Sequence, residues 1–183
     1  MTSLIKQIKS CTRCEMSSTR KNPVIGDGPV PCNVLFLGEA PGNKEDETGV
    51  AFTGPSGDVL EAAAFKAGLG VRGFYHVLNM LKCQPKGRPA TLEEFRNCEP
   101  YLVQQIKKVD PKVIVAFGKH AQAYVLGIPV SKVHVLNNAG RMVPMLKGRY
   151  AILSYHPAYV LRSGQVAIQK AFEKHLRLAT RFI

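Results

Sequence analysis

Three polar side chains in this sequence each stand at the end of a short apolar run. Glu39 follows VLFLG, Asn79 ends HVLN, and His156 comes two residues after YAILS. A carboxylate can orient a water or stabilise positive charge, and an amide pairs a hydrogen-bond donor with an acceptor. An imidazole can donate a hydrogen bond to an oxygen that gains charge. Residues of these types at these places are the candidates for chemistry in this chain.

Five cysteines form a second group of reactive side chains. Cys11 and Cys14 are spaced as C-x2-C, Cys83 and Cys98 as C-x14-C, and Cys32 stands apart. An odd number cannot pair completely, so we expect no disulfide framework. A zinc ribbon normally repeats the short C-x2-C unit, so the long second spacing weakens the case for zinc, which stays the alternative. Four thiolates from distant segments suit a 4Fe-4S cluster.

Four apolar runs predict the strands of a buried parallel sheet. They lie at residues 33–37, 74–78, 112–117 and 150–154. Ligands of open parallel sheets bind beyond the carboxyl ends of the strands. The sequence therefore predicts that the loops carrying Glu39, Asn79 and His156 meet at one edge of the sheet.

Helical patterns fall between these runs, at residues 57–67, 91–108, 121–126 and 166–182. Thr91 and Glu94 have the spacing of a capping box that opens the second helix, in which we expect a break before Pro100. The alternation predicts an α/β protein, a three-layer α/β/α sandwich with a central four-stranded parallel sheet. A length of 183 residues fits a single domain over residues 1–183.

Four sequence motifs together span nearly the whole chain. They are CTRC (11–14), GEAPGNKEDETGVAFTGPSG (38–57), NMLKCQPKGRPATLEEFRNCEPYL (79–102) and SYHPAYVLR (154–162). In this order they resemble the family 4 uracil-DNA glycosylases, the iron-sulfur branch of that superfamily. The resemblance implies a monofunctional enzyme that hydrolyses the N-glycosidic bond of uracil in DNA and so starts base excision repair. It also implies that the four motif cysteines hold a 4Fe-4S cluster.

The same resemblance implies roles for individual residues. Glu39 would orient the attacking water or stabilise charge on the sugar, and His156 would donate to the uracil oxygen that becomes negative. Asn79 would read the O4 and N3–H pattern of uracil, and Phe52 would stack on the base. Glu45 would lie near C5, where the methyl group of thymine must be excluded. The other histidines, for which we expect no role, are His76, His120, His134 and His175.

Two further segments complete the implied site. Gly38 and Gly42 let the backbone approach a ligand closely, so the amides of their loop, which includes Ala40, can bind a base edge or a water. By resemblance, Leu161 or Arg162 would enter the duplex and fill the gap left by the flipped base. The sequence does not choose between these two.

One segment departs from the usual family pattern. Many members have Arg-Pro before the stacking Phe, whereas this chain has Val50 and Ala51 before Phe52. The change removes a basic contact and some stiffness of the loop. We therefore expect the rate or the strand preference to differ from that of other members.

The charge of the chain favours a polyanionic partner. Lys and Arg number 25 against 13 Asp and Glu, which gives a formal net charge of +12, and binding to phosphates releases counterions. Basic residues that could meet phosphates are Lys82, Lys86, Arg88, Lys119 and Arg141. The expected partner is uracil-containing DNA, single- or double-stranded, bound by a monomer. Replication or repair proteins are further expected partners.

Membrane association is not expected. No apolar run approaches the roughly 18 residues that span a bilayer. The first fifteen residues contain no continuous hydrophobic stretch of the kind found in signal peptides. We expect a cytoplasmic, nucleoid-associated protein.

Two other classes of protein compete with the glycosylase. A catalytically silent iron-sulfur DNA-binding module, associated with a polymerase, would keep the fold and the cluster. The joint presence of Glu39, Phe52, Asn79 and His156 argues against it. An electron-transfer protein would leave the strand-end loops without a purpose, and ferredoxin cysteines are usually more closely spaced.

Overall fold

The structure is a computed structural model that describes residues 2–183. Its α-helices are α1 Thr2–Lys9, α2 Met16–Thr19, α3 Asn43–Thr48, α4 Pro55–Ala67, α5 Leu92–Val109, α6 Gly118–Leu126, α7 Val135–Asn138, α8 Pro157–Ser163 and α9 Val166–Arg177. Its strands are β1 Val34–Gly38, β2 His76–Asn79, β3 Val113–Phe117, β4 Met142–Pro144 and β5 Tyr150–Ser154. Short 3-10 turns lie at Val130–Lys132, Leu146–Gly148 and Leu178–Phe182. No helix in residues 2–183 is long and apolar enough to cross a membrane.

The strands of residues 2–183 form one sheet in the order β2-β1-β3-β5-β4. The four predicted strands are present and run parallel. The predicted count of four is wrong by one, because β4 adds an antiparallel edge against β5. This strand has three residues, is partly exposed and ends in Pro144, so it leaves no apolar run in the sequence. Proline is tolerated there because an edge strand does not need every donor.

Side chains of the central strands point alternately to the two faces of the sheet and build two cores. Phe36 packs in one core with Phe172 of α9. Leu37 packs in the other with Leu102 of α5 and Ala121 of α6. Helices therefore cover both faces, which confirms the predicted three-layer α/β/α sandwich.

Helix α5 continues through Pro100, where the sequence predicted a break. The predicted capping box is present: the Glu94 amide donates to Thr91 Oγ1 at 3.2 Å, and the Thr91 amide donates to Glu94 Oε2 at 2.8 Å. Pro100 removes one backbone donor, but it lies on the exposed side of the helix. Water can satisfy the carbonyl left without a partner, so the helix is not interrupted.

Candidate active site

A cavity of about 450 Å³ opens beyond the carboxyl ends of β1, β2 and β5. Its walls include Ala40, Glu45, Phe52, Asn79 and His156. The parallel register places Gly38 of β1 beside Asn79 of β2, and the chain reaches His156 two residues after the end of β5. The fold thus gathers in one cavity five of the residues that the motifs singled out.

Asn79 presents an unpaired oxygen in this cavity. The residue is 4% exposed, and its Oδ1 atom has no hydrogen-bond partner within residues 2–183. A Cβ atom at Gly38 would lie 2.4 Å from this oxygen and 2.7 Å from Phe52 Cζ. Only glycine at position 38 therefore lets the amide and the ring come this close. Leaving a buried polar atom unpaired costs stability, so an unpaired Oδ1 in a cavity wall indicates that a ligand supplies its hydrogen bond.

Phe52 and Glu45 are held rigidly in the cavity wall. Phe52 is buried, has a φ of 53°, and meets the edge of Phe117 at a centroid distance of 6.4 Å. Glu45 is buried, and its two carboxylate oxygens accept the amide hydrogens of Gly42 at 3.1 Å and Gly54 at 2.8 Å. Because both oxygens are engaged, this carboxylate is fixed relative to the loops on either side of it.

His156 caps the N-terminus of α8, and this contact fixes its tautomer. The amide of Ala158 donates to His156 Nδ1 at 3.1 Å, so in the neutral ring the proton is on Nε2. Burial lowers the pKa of His156 to about 4, although the charge of Glu39 opposes this shift. At neutral pH the residue is therefore an uncharged hydrogen-bond donor.

Glu39, predicted to be catalytic, is not among the residues that line the cavity; its carboxylate instead contacts His120, for which the sequence predicted no role. His120 Nδ1 lies 2.7 Å from Glu39 Oε2, and its ring stacks on Phe95 at a centroid distance of 4.6 Å. Burial alone would raise the pKa of Glu39, but the hydrogen bond from His120 and the nearby imidazoles of His120 and His156 hold it below its ordinary value. The signal that could have found His120 is its place just after β3, at the same edge of the sheet.

Leu161 and Arg162 lie on α8, the helix that begins beside His156. Leu161 is 44% exposed, and Arg162 is also exposed. Both lie outside the cavity lining, at the surface of the element that carries His156 into the site. The structure therefore leaves either side chain free to meet another molecule.

Of the five basic residues predicted to meet phosphates, one is excluded by burial. Lys82 is 2% exposed, and its ammonium donates to the carbonyl oxygen of Asn79. Lys86 and Arg88 are engaged with buried acidic side chains. Lys119 and Arg141 are exposed.

The four predicted metal ligands converge away from this cavity. Cys11, Cys14, Cys83 and Cys98 line one small space of about 20 Å³ between the N-terminal segment, the loop after β2 and helix α5. Cys32 lies elsewhere, in contact with backbone carbonyls. Within residues 2–183, no three His, Cys, Asp or Glu side chains are arranged to hold a single metal ion.

The surroundings of these cysteines fit an anionic iron-thiolate group. Burial raises the pKa of Cys98 to about 11 and also raises that of Cys83, so thiolates here need positive partners. Arg20 Nη1 donates to Cys83 Sγ at 3.2 Å. Burial lowers the pKa of Lys82 to about 8, and the thiolate charges of Cys98 and Cys83 oppose this shift. The four thiols match the donor set of such a group, and the cations Arg20 and Lys82 can offset its negative charge.

A family-level comparison agrees with this geometry. The family model of the Uracil DNA glycosylase superfamily matches residues 25–179. The chain belongs to the uracil-DNA glycosylase superfamily. The matched range contains the whole sheet and every residue of the cavity.

Individual relatives place the chain within this superfamily. The type-4 uracil-DNA glycosylase of Thermotoga maritima is 32% identical over 179 residues, which cover 97% of this chain and 92% of the relative. That of Pyrobaculum aerophilum is 35% identical over 93% of this chain and 88% of the relative. A type-5 uracil-DNA glycosylase of the same organism is 28% identical over 94% of this chain. The predicted resemblance to family 4 is confirmed.

Proposed function

We propose that this protein is a monofunctional uracil-DNA glycosylase, which hydrolyses the N-glycosidic bond between uracil and deoxyribose in DNA. The observation that carries the proposal is the shared cavity. It joins an unpaired amide oxygen on Asn79, the ring of Phe52, the fixed carboxylate of Glu45 and the neutral imidazole of His156. The cavity belongs to a chain of the uracil-DNA glycosylase superfamily.

Recognition of the base follows from the amide of Asn79. A glycosylase extracts its nucleotide from the duplex and reads the flipped base by its Watson-Crick edge. Asn79 Oδ1 can accept the N3–H of uracil while Nδ2 donates to O4. Cytosine presents an acceptor and an amino donor at these places, so both contacts are mismatched. Because Oδ1 has no partner within residues 2–183, the described side chains offer no competing bond that uracil must break.

Bond cleavage places negative charge on the departing base and positive charge on the sugar. His156 Nε2–H would donate to the base oxygen that gains charge, and a neutral donor leaves the anion free to depart. Glu39 stays ionised because His120 holds its pKa low, so it can stabilise the sugar cation or orient the attacking water. Groups already fixed in position act at the transition state without reorganisation.

The contact with DNA would combine a basic surface with a helix that enters the duplex. Lys119 and Arg141 are exposed and available to phosphates. Leu161 or Arg162 on α8 would fill the space left by the extruded nucleotide. Removing a base from the stack costs a few kcal/mol, which a wedge of this kind helps to offset.

The four cysteines that line the small cavity would hold a 4Fe-4S cluster. Such a cluster would supply a cross-link between the N-terminal segment, the loop after Asn79 and helix α5, and hydrolysis of a glycosidic bond needs no electron from it. Lys82 would contribute by neutralising thiolate charge while its ammonium holds the Asn79 carbonyl. The same residue thereby connects the cysteine site to the base-reading amide.

The Cys83→Ser substitution should remove the cluster and most of the soluble protein, because one of four thiolate ligands is lost. Iron content and the visible absorbance of the purified protein measure this result. Cys32→Ser is the matched control, since Cys32 lies apart from the other four, and it should keep both. Full iron content in Cys83→Ser would remove this cysteine from the ligand set.

One assay tests the proposed activity. Purified protein is incubated with single- and double-stranded oligonucleotides that carry one uracil, and the products are treated with alkali. Scission confined to the uracil position is the expected result, with none at cytosine or thymine. Binding without scission would instead support the catalytically silent DNA-binding module.

The His120→Leu substitution should shift the pH profile of uracil excision. Loss of the hydrogen bond from His120 raises the pKa of Glu39, so its carboxylate is protonated at a higher pH and the acidic limb of kcat/KM moves to higher pH. The rate at neutral pH should fall about tenfold, in the range for a hydrogen bond to a charged group. His120→Asn keeps a donor near the position of Nδ1 and should restore most of the rate. Identical profiles for the Leu variant and the wild type would remove His120 from the site.

A further inference from the structure

Arg72, in the loop after α4, binds the backbone of the segment that carries Phe52. Its Nη1 donates to the carbonyl oxygen of Ala51 at 2.8 Å, and its Nη2 donates to the carbonyl oxygen of Phe52. The planar guanidinium thus holds two successive peptide groups, a geometry that the single ammonium of lysine cannot reproduce. The sequence motifs did not single out this residue.

Two carboxylates hold the guanidinium in place. Asp27 Oδ2 lies 3.0 Å from Arg72 Nη1, and Glu61 of α4 accepts from Nε. Burial lowers the pKa of Arg72, but these two carboxylates outweigh it and raise the pKa above its ordinary value. Arg72 is therefore a charged, anchored clamp that connects the segment before β1, which carries Asp27, with helix α4 and the Phe52 loop.

The backbone that Arg72 holds is in an unfavourable conformation. Phe52 has a φ of 53°, in the left-handed region that a bulky side chain rarely adopts. Such a conformation persists only where its surroundings enforce it. Gly57 also packs against this carbonyl, since a Cβ there would lie 1.9 Å from the Phe52 oxygen. Clamp and glycine together direct the ring into the cavity.

Arg72 also stiffens the loop at residues 50 and 51, where this chain differs from the family pattern. Val50 and Ala51 replace the Arg-Pro pair of many family members, and the sequence alone predicted a looser loop. In the structure the carbonyl of Ala51 is one of the two that Arg72 holds. A side chain from the loop at the other end of α4 thus provides the stiffness that a proline would otherwise give.

We propose that Arg72 is a positioning residue for uracil excision, which holds the Phe52 ring in place through the backbone of residues 51 and 52 without touching the base. The proposal rests on the function proposed above, in which Phe52 stacks on the flipped uracil. Its consequence is that the effects of Arg72 and Phe52 on excision are coupled.

A double-mutant cycle tests this coupling. Arg72→Met removes the donors while keeping an unbranched chain, and kcat/KM for uracil excision should fall about 10- to 30-fold. Phe52→Ala should lose at least as much, and adding Arg72→Met to it should cause less than a twofold further loss. Arg149→Met is the matched control, because Arg149 also pairs with a carboxylate, Asp110, but lies away from the cavity. It should excise uracil at the wild-type rate.

Two measurements keep the proposal falsifiable if Arg72→Met folds poorly. Arg72→Lys retains charge beside both carboxylates and should fold, yet still lose at least fivefold in kcat/KM. Hydrogen exchange of residues 50–54 should accelerate in both variants but not in Arg149→Met, and this readout needs no activity. The proposal would be overturned if Arg72→Met lowered kcat/KM by the same factor in the wild type and in the Phe52→Ala variant. Full activity together with unchanged hydrogen exchange in Arg72→Lys would also overturn it. A wild-type protein that leaves uracil in place would refute the proposed function, whatever the exchange data show.

Discussion

The Asn79→Ala substitution lowers kcat/KM for uracil excision by about a hundredfold to a thousandfold. Two hydrogen bonds to the base are lost together, and a flipped uracil then leaves its N3–H and O4 without side-chain partners in the cavity. A site built to hydrogen-bond its ligand loses several kcal/mol when the pairing fails. Single-turnover kinetics on duplexes with uracil or cytosine at one position measure the effect.

The same variant should keep its fold and its cysteine site. The Lys82 ammonium donates a hydrogen bond to the main-chain carbonyl of residue 79, which an alanine there retains. Iron content and visible absorbance should therefore match those of the wild type. Asn137→Ala, at an exposed asparagine of α7, is the matched control and should excise uracil normally. If Asn79→Ala left both the rate and the discrimination against cytosine unchanged, the base-reading role would have to be withdrawn.

Much of the fold was predictable because it depends on local pattern. Buried parallel strands are covered on both faces and leave continuous apolar runs, which is why four of them could be located. Strand β4 could not be located, since three partly exposed residues carry no such run. The break expected at Pro100 did not occur: the proline lies on the exposed face of α5, where water can bind the carbonyl that it leaves without a partner. That face is set by tertiary packing.

The site was predictable where motif residues follow strands, and not where distant side chains meet. Glu45, Phe52, Asn79 and His156 come together because strand ends share one edge. The contact of His120 with Glu39 joins residues that are 81 positions apart, and the contact of Arg72 with the Phe52 carbonyl joins the loops on either side of helix α4. Neither pair of residues has a characteristic sequence spacing from which its contact could be predicted.

Buried charges were the hardest feature to anticipate. Lys86 was among the basic residues expected to meet phosphates, yet its ammonium pairs with Asp46, which is 1% exposed and lies 2.5 Å from Lys86 Nζ. Lys82 is itself buried, although it too was among the basic residues expected to meet phosphates. A charge can be buried only with a partner, and the partner is known only from the fold. Charge counts therefore predicted the polyanionic ligand but not the individual residues that face it.

The His156→Ala substitution should lower kcat for uracil excision by about 10²- to 10³-fold, the loss typical when one donor to a developing anion is removed. KM should change little, because the hydrogen bond strengthens only as charge moves onto the base. The neutral donor also predicts the pH dependence. With a pKa near 4, His156 is uncharged above pH 5, so its protonation causes no loss of rate between pH 7 and pH 5.

His156→Gln separates the donor from the charge of an imidazole. Its amide can place a donor near the position of Nε2 but cannot become a cation. It should therefore recover part of the rate lost in His156→Ala, with no new titration between pH 5 and pH 8. His134→Ala, at an exposed histidine, should behave as the wild type. If His156→Ala instead raised KM at unchanged kcat, the imidazole would act in binding the ground state, and stabilisation of the departing anion would have to come from elsewhere in the cavity.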